Sequence, residues 1–227
     1  MGFWVGMLLK WPMASVIPPI PTSGLIGEWL LNGNTNDTSW YWNNGTPNDI
    51  TYTTGHWWVQ CAVFNGTSSY ITLPYTAINN LSAWSISVWV QRDISQFWLQ
   101  QLFVDKTTIW VSNRLQMGFE YFSPWNQIRF VVNDINLSST VTPTSDWIHF
   151  VWTFDNVRMK WYANGEFWTQ NNDPISIPNS SETIYLWALW CNGAYIANFL
   201  NGKMQGMRVY DRVLSDAEIE ALYLNGK

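Results

Sequence analysis

Residues 84–91 read Trp-Ser-Ile-Ser-Val-Trp-Val-Gln, and this stretch decides the fold class. Positions 84, 86, 88 and 90 are apolar, which is the period of two expected of a half-buried β-strand. Residues 115–121, Leu-Gln-Met-Gly-Phe-Glu-Tyr, repeat the pattern at 115, 117, 119 and 121. Similar runs, separated by Gly, Asn, Asp and Pro, predict an all-β, two-sheet antiparallel sandwich; they cover 69–73, 127–132, 147–154, 157–162, 183–190 and 203–210.

Two turns and one helix can be placed from local signals. Asn164-Gly165 separates two strand-like runs by two residues and tolerates the positive φ angles of a type I′ hairpin turn. Asp155-Asn156 predicts a second turn. The segment 215–218, Ser-Asp-Ala-Glu, is a capping box, and the apolar face formed by 219, 222 and 223 predicts one short C-terminal helix that stops at Asn225-Gly226.

The bulk composition indicates one globular domain. The chain has 227 residues, of which 47% are hydrophobic and 12% charged, and all-β sandwiches of this size fold around one core. Residues 1–23 differ from the rest, because four prolines, at 12, 18, 19 and 21, favour an extended segment over a helix or a central strand. We therefore expect a Pro-rich N-terminal arm at 1–23 and a single domain at 24–227.

Charge and hydropathy exclude two classes of partner. The net charge is −5 and the pI about 4.8, so the basic surface that nucleic acid requires is missing. The longest apolar stretch, 184–200, is interrupted by two asparagines and a glycine, so we expect no membrane span. Cys61 and Cys191 are interpreted as two buried thiols, with one long-range disulfide as the alternative.

Five segments, in order, carry a resemblance to a known family. They are residues 24–37, 64–71, 85–90, 159–166 and 207–215, which read GLIGEWLLNGNTND, FNGTSSYI, SISVWV, MKWYANGE and MRVYDRVLS. Together they resemble the laminin-G-like jelly rolls of the concanavalin A-like lectin and glucanase superfamily. The resemblance covers about residues 24–227 and implies two sheets packed face to face, with the helix after the last strand. It does not imply one ligand, since function has to be argued from a site and not from a fold.

Tryptophan is the departure from that family pattern. The chain has 18 tryptophans, and five of them, Trp40, Trp42, Trp58, Trp187 and Trp190, stand where the family carries glycine. Glycine occurs in such turns because it can adopt a positive φ or because another part of the backbone passes close to it. A tryptophan at such a position is strained. Two hypotheses are open: the five residues form a ligand surface, or the source organism reads UGA as glycine and the gene was translated with UGA as tryptophan.

No catalytic constellation can be assembled from the sequence, so we expect a non-enzyme. The carboxylate pair of the glucanase branch, Glu-x-Asp-x-x-Glu, does not occur, and Glu120 and Glu166 have no evident second carboxylate. His56 and His149 have no serine or cysteine nucleophile motif beside them.

Calcium is the predicted cofactor. Residues 32–37, Asn-Gly-Asn-Thr-Asn-Asp, resemble the loop that lies near a metal in the family, and Asp211 follows the last core strand. Asp37, Asp211 and Asn34 would supply the oxygen ligands of a weak or structural site. The alternative is that Asn-Gly-Asn is simply a good turn.

Aromatic and amide residues of the loops are the predicted ligand contacts, because a sugar needs an aromatic face for its C–H side and polar groups for its hydroxyls. The candidates are Tyr121, Trp125, Asn126, Trp98 and Trp57. For each of them, packing within its own loop is the alternative.

Taken together, the sequence predicts a lectin-like recognition module that binds a surface glycan or a protein in an extracellular or cell-surface setting. The alternative is a structural subunit of a phage particle or surface layer. In that case residues 1–23 would grip an assembly neighbour or a second copy of the chain, because an apolar Pro-rich arm serves a subunit better than a free lectin.

Overall fold

The computed structural model describes residues 17–79, 81–96, 101–107, 114–122, 125–132, 135–140, 144–172, 183–186, 189–191, 195–197 and 199–226. Some of the strand residues in these ranges are described by their backbone alone. Residues 1–16 of the predicted arm lie outside the described residues, as do Trp98 and Trp187. We number the strands β1–β17 along the chain.

One layer of the sandwich is an eight-stranded antiparallel sheet. Its strands are β1 (Leu25–Trp29), β3 (Thr51–Thr54), β4 (Gln60–Asn65), β6 (Trp84–Arg92), β11 (Trp147–Phe154), β12 (Met159–Ala163), β13 (Glu166–Asn171) and β17 (Asn201–Tyr210). They are ordered β13-β12-β11-β6-β17-β4-β3, and β1 also pairs with β17. The ten residues of β17 are long enough for both β4 and β1 to pair with it, because β4 pairs with residues 201–204 and β1 with residues 207–210.

The other layer is a seven-stranded antiparallel sheet. It contains β2 (Thr46–Asn48), β5 (Tyr70–Leu73), β7 (Gln101–Thr107), β8 (Arg114–Phe122), β9 (Trp125–Val132), β10 (Ile135–Thr140) and β14 (Ile184–Leu186). The order is β10-β9-β8-β7-β14-β5-β2, and a separate two-stranded sheet pairs β15 (Leu189–Cys191) with β16 (Tyr195–Ala197). The predicted two-sheet antiparallel fold is confirmed.

The main core lies between the two sheets and follows the period-two pattern. Ile86 and Val88 of β6 pack in the same buried cluster as Met117 of β8 and Phe130 of β9. Successive side chains of a strand point to opposite faces, so Ser87 lies on the outer face of the eight-stranded sheet. A second, smaller cluster covers part of that outer face.

The C-terminal helix α1 (Asp216–Asn225) is the α-helix of the described residues and confirms the capping-box prediction. The Glu218 N–H donates to Ser215 Oγ (3.4 Å), and the Ser215 N–H donates to Glu218 Oε2 (2.8 Å). Ile219 and Leu222 are buried in the outer cluster, so the helix covers the outer face of the eight-stranded sheet.

The predicted hairpin turns are present. Asn164 and Gly165 have φ values of 53° and 82°, as a type I′ turn requires, and they join β12 to β13. Between β11 and β12, Asn156 also has a positive φ of 64°. The Asp155 carboxylate there accepts the N–H groups of the two residues that follow Asn156, at 3.1 and 2.7 Å.

Residues 17–23 of the predicted arm lie against the domain. The Pro18 carbonyl accepts from Asn225 Nδ2 (2.6 Å), and the Pro21 carbonyl accepts from the Tyr210 hydroxyl (3.0 Å). Ile20 packs against the outer cluster. The role of residues 1–23 in assembly stays a prediction.

Two smaller predictions can be compared with the described residues. None of the helices in the described part of the chain has the length and apolar character needed to cross a membrane. Cys61 is a buried free thiol, as interpreted from the sequence, and burial raises its pKa. Cys191 lies in β15 and is described by its backbone alone.

Candidate functional site

A groove of 310 Å³ opens at one end of the sandwich and takes residues from both sheets. We call it the aromatic groove. Ile128 enters it from the seven-stranded sheet, whereas Phe150 and Trp161 enter it from the eight-stranded sheet. The described residues of its lining are Ile128, Thr144, Asp146, Trp147, Ile148, Phe150, Trp161, Ala163, Asn164 and Trp168.

Trp168 is the exposed ring of this groove, with 44% of its surface accessible. Its ring centroid lies 4.9 Å from that of Trp161, at an interplanar angle of 53°. Trp161 is fully buried and packs in turn on Phe150, at 6.1 Å. An exposed indole supported by buried rings is held in one orientation, so the β12–β13 hairpin presents a fixed apolar platform.

Polar groups lie at the edge of that platform. Thr144 Oγ1 donates to Asp146 Oδ2 (2.9 Å), and the Asp146 N–H donates back to Thr144 Oγ1 (3.1 Å). Asp146 is exposed, so its carboxylate can accept further hydrogen bonds from a ligand. Asn164 Oδ1 accepts the His149 N–H (3.0 Å), which fixes the hairpin turn against β11. The groove thus combines an apolar face with a polar rim.

Trp147 connects the aromatic groove to a row of rings on the outer face. Its ring centroid lies 5.8 Å from His56, which lies 4.4 Å from Trp89 and 4.9 Å from Trp57. Burial lowers the pKa of His56. The row ends at Trp89, which stacks on Tyr223 of α1 at 5.7 Å.

Three of the five predicted ligand residues lie on the β8–β9 hairpin. The register places Tyr121 opposite Asn126 and Trp125 opposite Phe122, and these residues are described by their backbone alone. Trp125 and Asn126 belong to the same strand as Ile128, which lines the aromatic groove. Their role in binding stays a prediction, as does that of Trp98.

Sequence reasoning missed the residues that form the groove. The sequence pattern places Trp147 and Trp161 in strand-like runs, places Trp168 in none, and does not indicate Asp146 as a ligand contact. The available signal is the turn at Asn164-Gly165, because a regular two-residue hairpin would pair position 161 with 168. In the structure a β-bulge pairs Trp161 with Thr169 instead, and the Trp161 and Trp168 ring centroids still lie 4.9 Å apart.

The family of the chain follows from its sequence together with this fold. A laminin G family model, described as Concanavalin A-like lectin/glucanases superfamily, matches residues 65–220. The chain belongs to this superfamily. No curated protein sequence matches it.

Solved structures with under 20% identity share the fold. Domain 4 of AbnA, a GH43 extracellular arabinanase from Geobacillus stearothermophilus, in complex with arabinotriose, has a TM-score of 0.69 and 18% identity, covering 88% of this chain and 98% of that one. The binding domain of Paraclostridial Mosquitocidal Protein 1 has a TM-score of 0.67 and 14% identity, covering 88% and 52%.

Botulinum neurotoxin type C, whose cell entry is dependent upon interaction with two ganglioside molecules, has a TM-score of 0.67 and 14% identity, covering 90% and 52%. The present chain therefore spans about half of each toxin structure.

In this jelly roll, the carboxylate of Asp37 is an acceptor for the chain's own donors. Oδ1 accepts the N–H groups of Glu28 (2.9 Å) and Ser39 (2.8 Å), and Oδ2 accepts the Ser39 hydroxyl (2.9 Å) and the Asn43 N–H (2.9 Å). Asn34 Oδ1 accepts the N–H of residue 36, at 2.9 Å. Asp37 thereby joins the 37–43 loop to β1, whatever else it binds.

Asp211, the other predicted calcium ligand, lies beside Gly24, whose carbonyl accepts its N–H at 2.9 Å. Asp37 meets β1 near the opposite end, at Glu28. Within the described ranges, no group of three or more His, Cys, Asp or Glu side chains could hold a metal ion. Calcium binding stays a prediction, and a metal at Asp37 would compete with four existing donors.

Ser87 and His149 form the side-chain pair most similar to a catalytic dyad, with Oγ 2.8 Å from Nε2. Both residues are buried on the outer face of the eight-stranded sheet, which α1 covers. Burial, with a smaller contribution from the charge of Arg208, lowers the pKa of His149 to about 3. A neutral imidazole without access to substrate is structural, so the pair ties β6 to β11.

Two of the five tryptophans at predicted glycine positions, Trp42 and Trp58, have positive φ angles. Trp42 and Trp58 have φ values of 57° and 64°, in the left-handed region, and are 76% and 91% exposed. Trp57, one of the predicted ligand residues, also combines a positive φ (59°) with a half-exposed side chain. Trp40 is exposed without a positive φ, and Trp190 is described by its backbone alone. Trp40, Trp42, Trp57 and Trp58, whose side chains the structure describes, do not line the aromatic groove.

Proposed function

We propose that this protein is a non-catalytic carbohydrate-binding module and that the aromatic groove is its binding site. The observation that carries the proposal is the exposed Trp168 ring, held by Trp161, beside the polar rim of Thr144 and Asp146. A pyranose or furanose ring has an apolar C–H face and a hydroxyl periphery. The Trp168 ring can contact the C–H face, and Thr144 and Asp146 can form hydrogen bonds with the hydroxyls.

The size of the groove limits the ligand. Ligand pockets measure about 300–1,000 Å³, and the 310 Å³ of the aromatic groove is at the lower end of that range. A short saccharide or the end of a longer chain fits this volume. Among the described residues of the lining, Asp146 is the one carboxylate, which favours binding over hydrolysis, since glycoside cleavage uses a pair of carboxyl groups.

Proteins of the same fold support the proposal. The AbnA domain is seen with arabinotriose, and the botulinum neurotoxin depends on gangliosides for cell entry. A carbohydrate ligand of this kind is also consistent with an extracellular or cell-surface location, which we include in the proposal.

A glycan array followed by titration calorimetry tests the proposal. We expect Trp168→Ala to weaken binding of the best array ligand at least about tenfold, which corresponds to about 1.4 kcal/mol. Asp146→Asn should weaken it less, because an amide oxygen still accepts one hydroxyl.

The control is Trp40→Ala, which removes an indole that is more exposed than Trp168 (91% against 44%) and lies outside the groove. Equal affinities of the Trp168→Ala and Trp40→Ala proteins, or an array without any bound glycan, would contradict the proposed site.

A further inference from the structure

A second groove, of 190 Å³, lies on the outer face of the eight-stranded sheet. We call it the outer groove. Trp89 of β6 and Gln205 of β17 line it from the sheet, and Leu30 and Val59 line it from the adjoining loops. Ile20 of the N-terminal arm also lines it. None of its described lining residues is shared with the aromatic groove.

Apolar side chains are exposed at the outer groove. Leu30 and Val59 are 38% and 42% exposed, and Trp57, two residues before Val59, is half-exposed. Among the described lining residues, Arg208 is the one charged side chain, and Glu28 neutralises it at 2.8 Å. An exposed apolar surface without a free charge favours a partner that is itself apolar and uncharged.

The described part of the arm leads toward this groove along the outer face. Three of its carbonyls accept hydrogen bonds from side chains of the domain: Ser23 from Arg212 Nε (2.9 Å), Pro21 from the Tyr210 hydroxyl (3.0 Å) and Pro18 from Asn225 Nδ2 (2.6 Å). Asn225 also lines the outer groove. Pro18 therefore lies at the rim of the groove.

The sequence before Pro18 matches the groove in chemistry and in length. Residues 11–16 read Trp-Pro-Met-Ala-Ser-Val and carry no charged side chain. A polyproline-like segment advances about 3 Å per residue, so these six residues span about 18 Å. The ring centroids of Trp89 and His56 are 4.4 Å apart, and those of His56 and Trp57 are 4.9 Å apart. The segment is long enough to cross this row of rings.

We propose that residues 11–16 bind in the outer groove of their own chain, with apolar side chains against Trp89, Leu30 and Val59. The bound segment covers the exposed apolar groups and continues the line of residues 18–23. The arm is already held at Pro18, which gives residues 11–16 an effective concentration on the order of millimolar at the groove. A second copy of the chain lacks this advantage.

Photo-cross-linking of the full-length chain identifies the occupant. We place p-benzoylphenylalanine at position 59 and identify the cross-linked peptides by mass spectrometry. The tryptic peptide that begins at Trp11 is the expected product. The matched control is the same substitution at position 75, because Tyr75 is 43% exposed, as Val59 is 42% exposed, and does not line the groove. The control should give no peptide from residues 1–16.

Trypsin cleavage after Lys10 provides a second measurement. A bound segment 11–16 withholds the Lys10–Trp11 bond from the protease, so the rate follows the fraction of chains in which the segment is released. We expect Leu30→Asp/Val59→Asp to raise this rate at least about tenfold, because its carboxylates would be buried by an apolar segment. Tyr75→Asp should leave the rate unchanged. Far-UV circular dichroism checks that both variants fold.

Three results would overturn the proposal. The first is cross-linking at position 59 that yields no peptide from residues 11–16. The second is equal cleavage after Lys10 in the unaltered and doubly substituted proteins. The third comes from mixing ¹⁵N-labelled and unlabelled chains, since cross-links formed only between two chains would assign the groove to a second copy. Cross-links within one chain, lost at position 75, support the proposal.

Discussion

Replacing Trp42 and Trp58 by glycine is expected to stabilise the protein. Their φ values of 57° and 64° place a Cβ-bearing residue in the left-handed region, where the strain is about 1–3 kcal/mol per residue. The two side chains are 76% and 91% exposed, so their removal sacrifices few packing contacts. The strain is a property of the folded state alone.

The size of the gain follows from two opposing terms. Glycine relieves the strain but also adds freedom to the unfolded chain, which costs about 0.5–1 kcal/mol per site. The net gain is about 1 kcal/mol per site, or about 2 kcal/mol for the Trp42→Gly/Trp58→Gly protein. For a chain of this length, that corresponds to a rise in Tm of about 4–8 °C.

Urea and thermal unfolding of four proteins provide the assay. Trp40→Gly is one control, since Trp40 is equally exposed but has no positive φ, and it should lower stability slightly. Trp42→Ala/Trp58→Ala is the other, because alanine removes both indoles and keeps the Cβ. A double glycine protein no more stable than the double alanine protein would refute the strain argument.

The same experiment bears on the origin of these residues. Stabilisation by glycine at 42 and 58 is what the UGA-decoding hypothesis requires, whereas loss of both stability and ligand binding is expected of a functional tryptophan surface. The codons provide an independent check. UGA at 40, 42, 58, 187 and 190 would support decoding as glycine, and UGG at these positions would exclude it.

Three further predictions concern His149, Asp37 and calcium. The pKa of His149 is lowered from 6.5 to about 3, so between these pH values only the unfolded chain takes up this proton. The free energy of unfolding should fall with decreasing pH by up to about 1.4 kcal/mol per pH unit; equal slopes for the unaltered and His149→Gln proteins would contradict this. Asp37→Ala should cost about 2–4 kcal/mol by leaving buried N–H groups without an acceptor, measured by urea unfolding. Calcium should raise the Tm of the unaltered protein if Asp37, Asp211 and Asn34 bind it, and an unchanged Tm would count against that site.

Much of the fold could be predicted because its signals are local. The alternation at 84–90 decides which side chains of β6 face the core, and Asn164-Gly165 adopts the type I′ angles that its own residues favour. The Ser215–Glu218 capping box likewise depends on groups three residues apart. Such interactions form between neighbours in the chain, so the sequence displays them directly.

The candidate site depends on residues that are distant in sequence. Ile128, Trp147, Trp161 and Trp168 come from four strands in two sheets, and their convergence requires the β11–β12–β13 order and the packing of one sheet on the other. The sequence indicates aromatic residues of loops instead. The exposure of a loop residue can be predicted from the local sequence, whereas a groove between two sheets depends on how the sheets pack.

The sequence by itself determined the sandwich, its turns, its helix and its superfamily, because these follow from periodicity and from motifs in a fixed order. Only the tertiary structure decided that Asp37 accepts from four donors, that Nε and Nη2 of the buried Arg92 have no hydrogen-bond partner, and that Trp42, Trp57 and Trp58 lie at positive φ. At these residues, the hydrogen-bond partners, the burial and the backbone strain depend on how separate segments pack together, and the local sequence pattern does not display that packing.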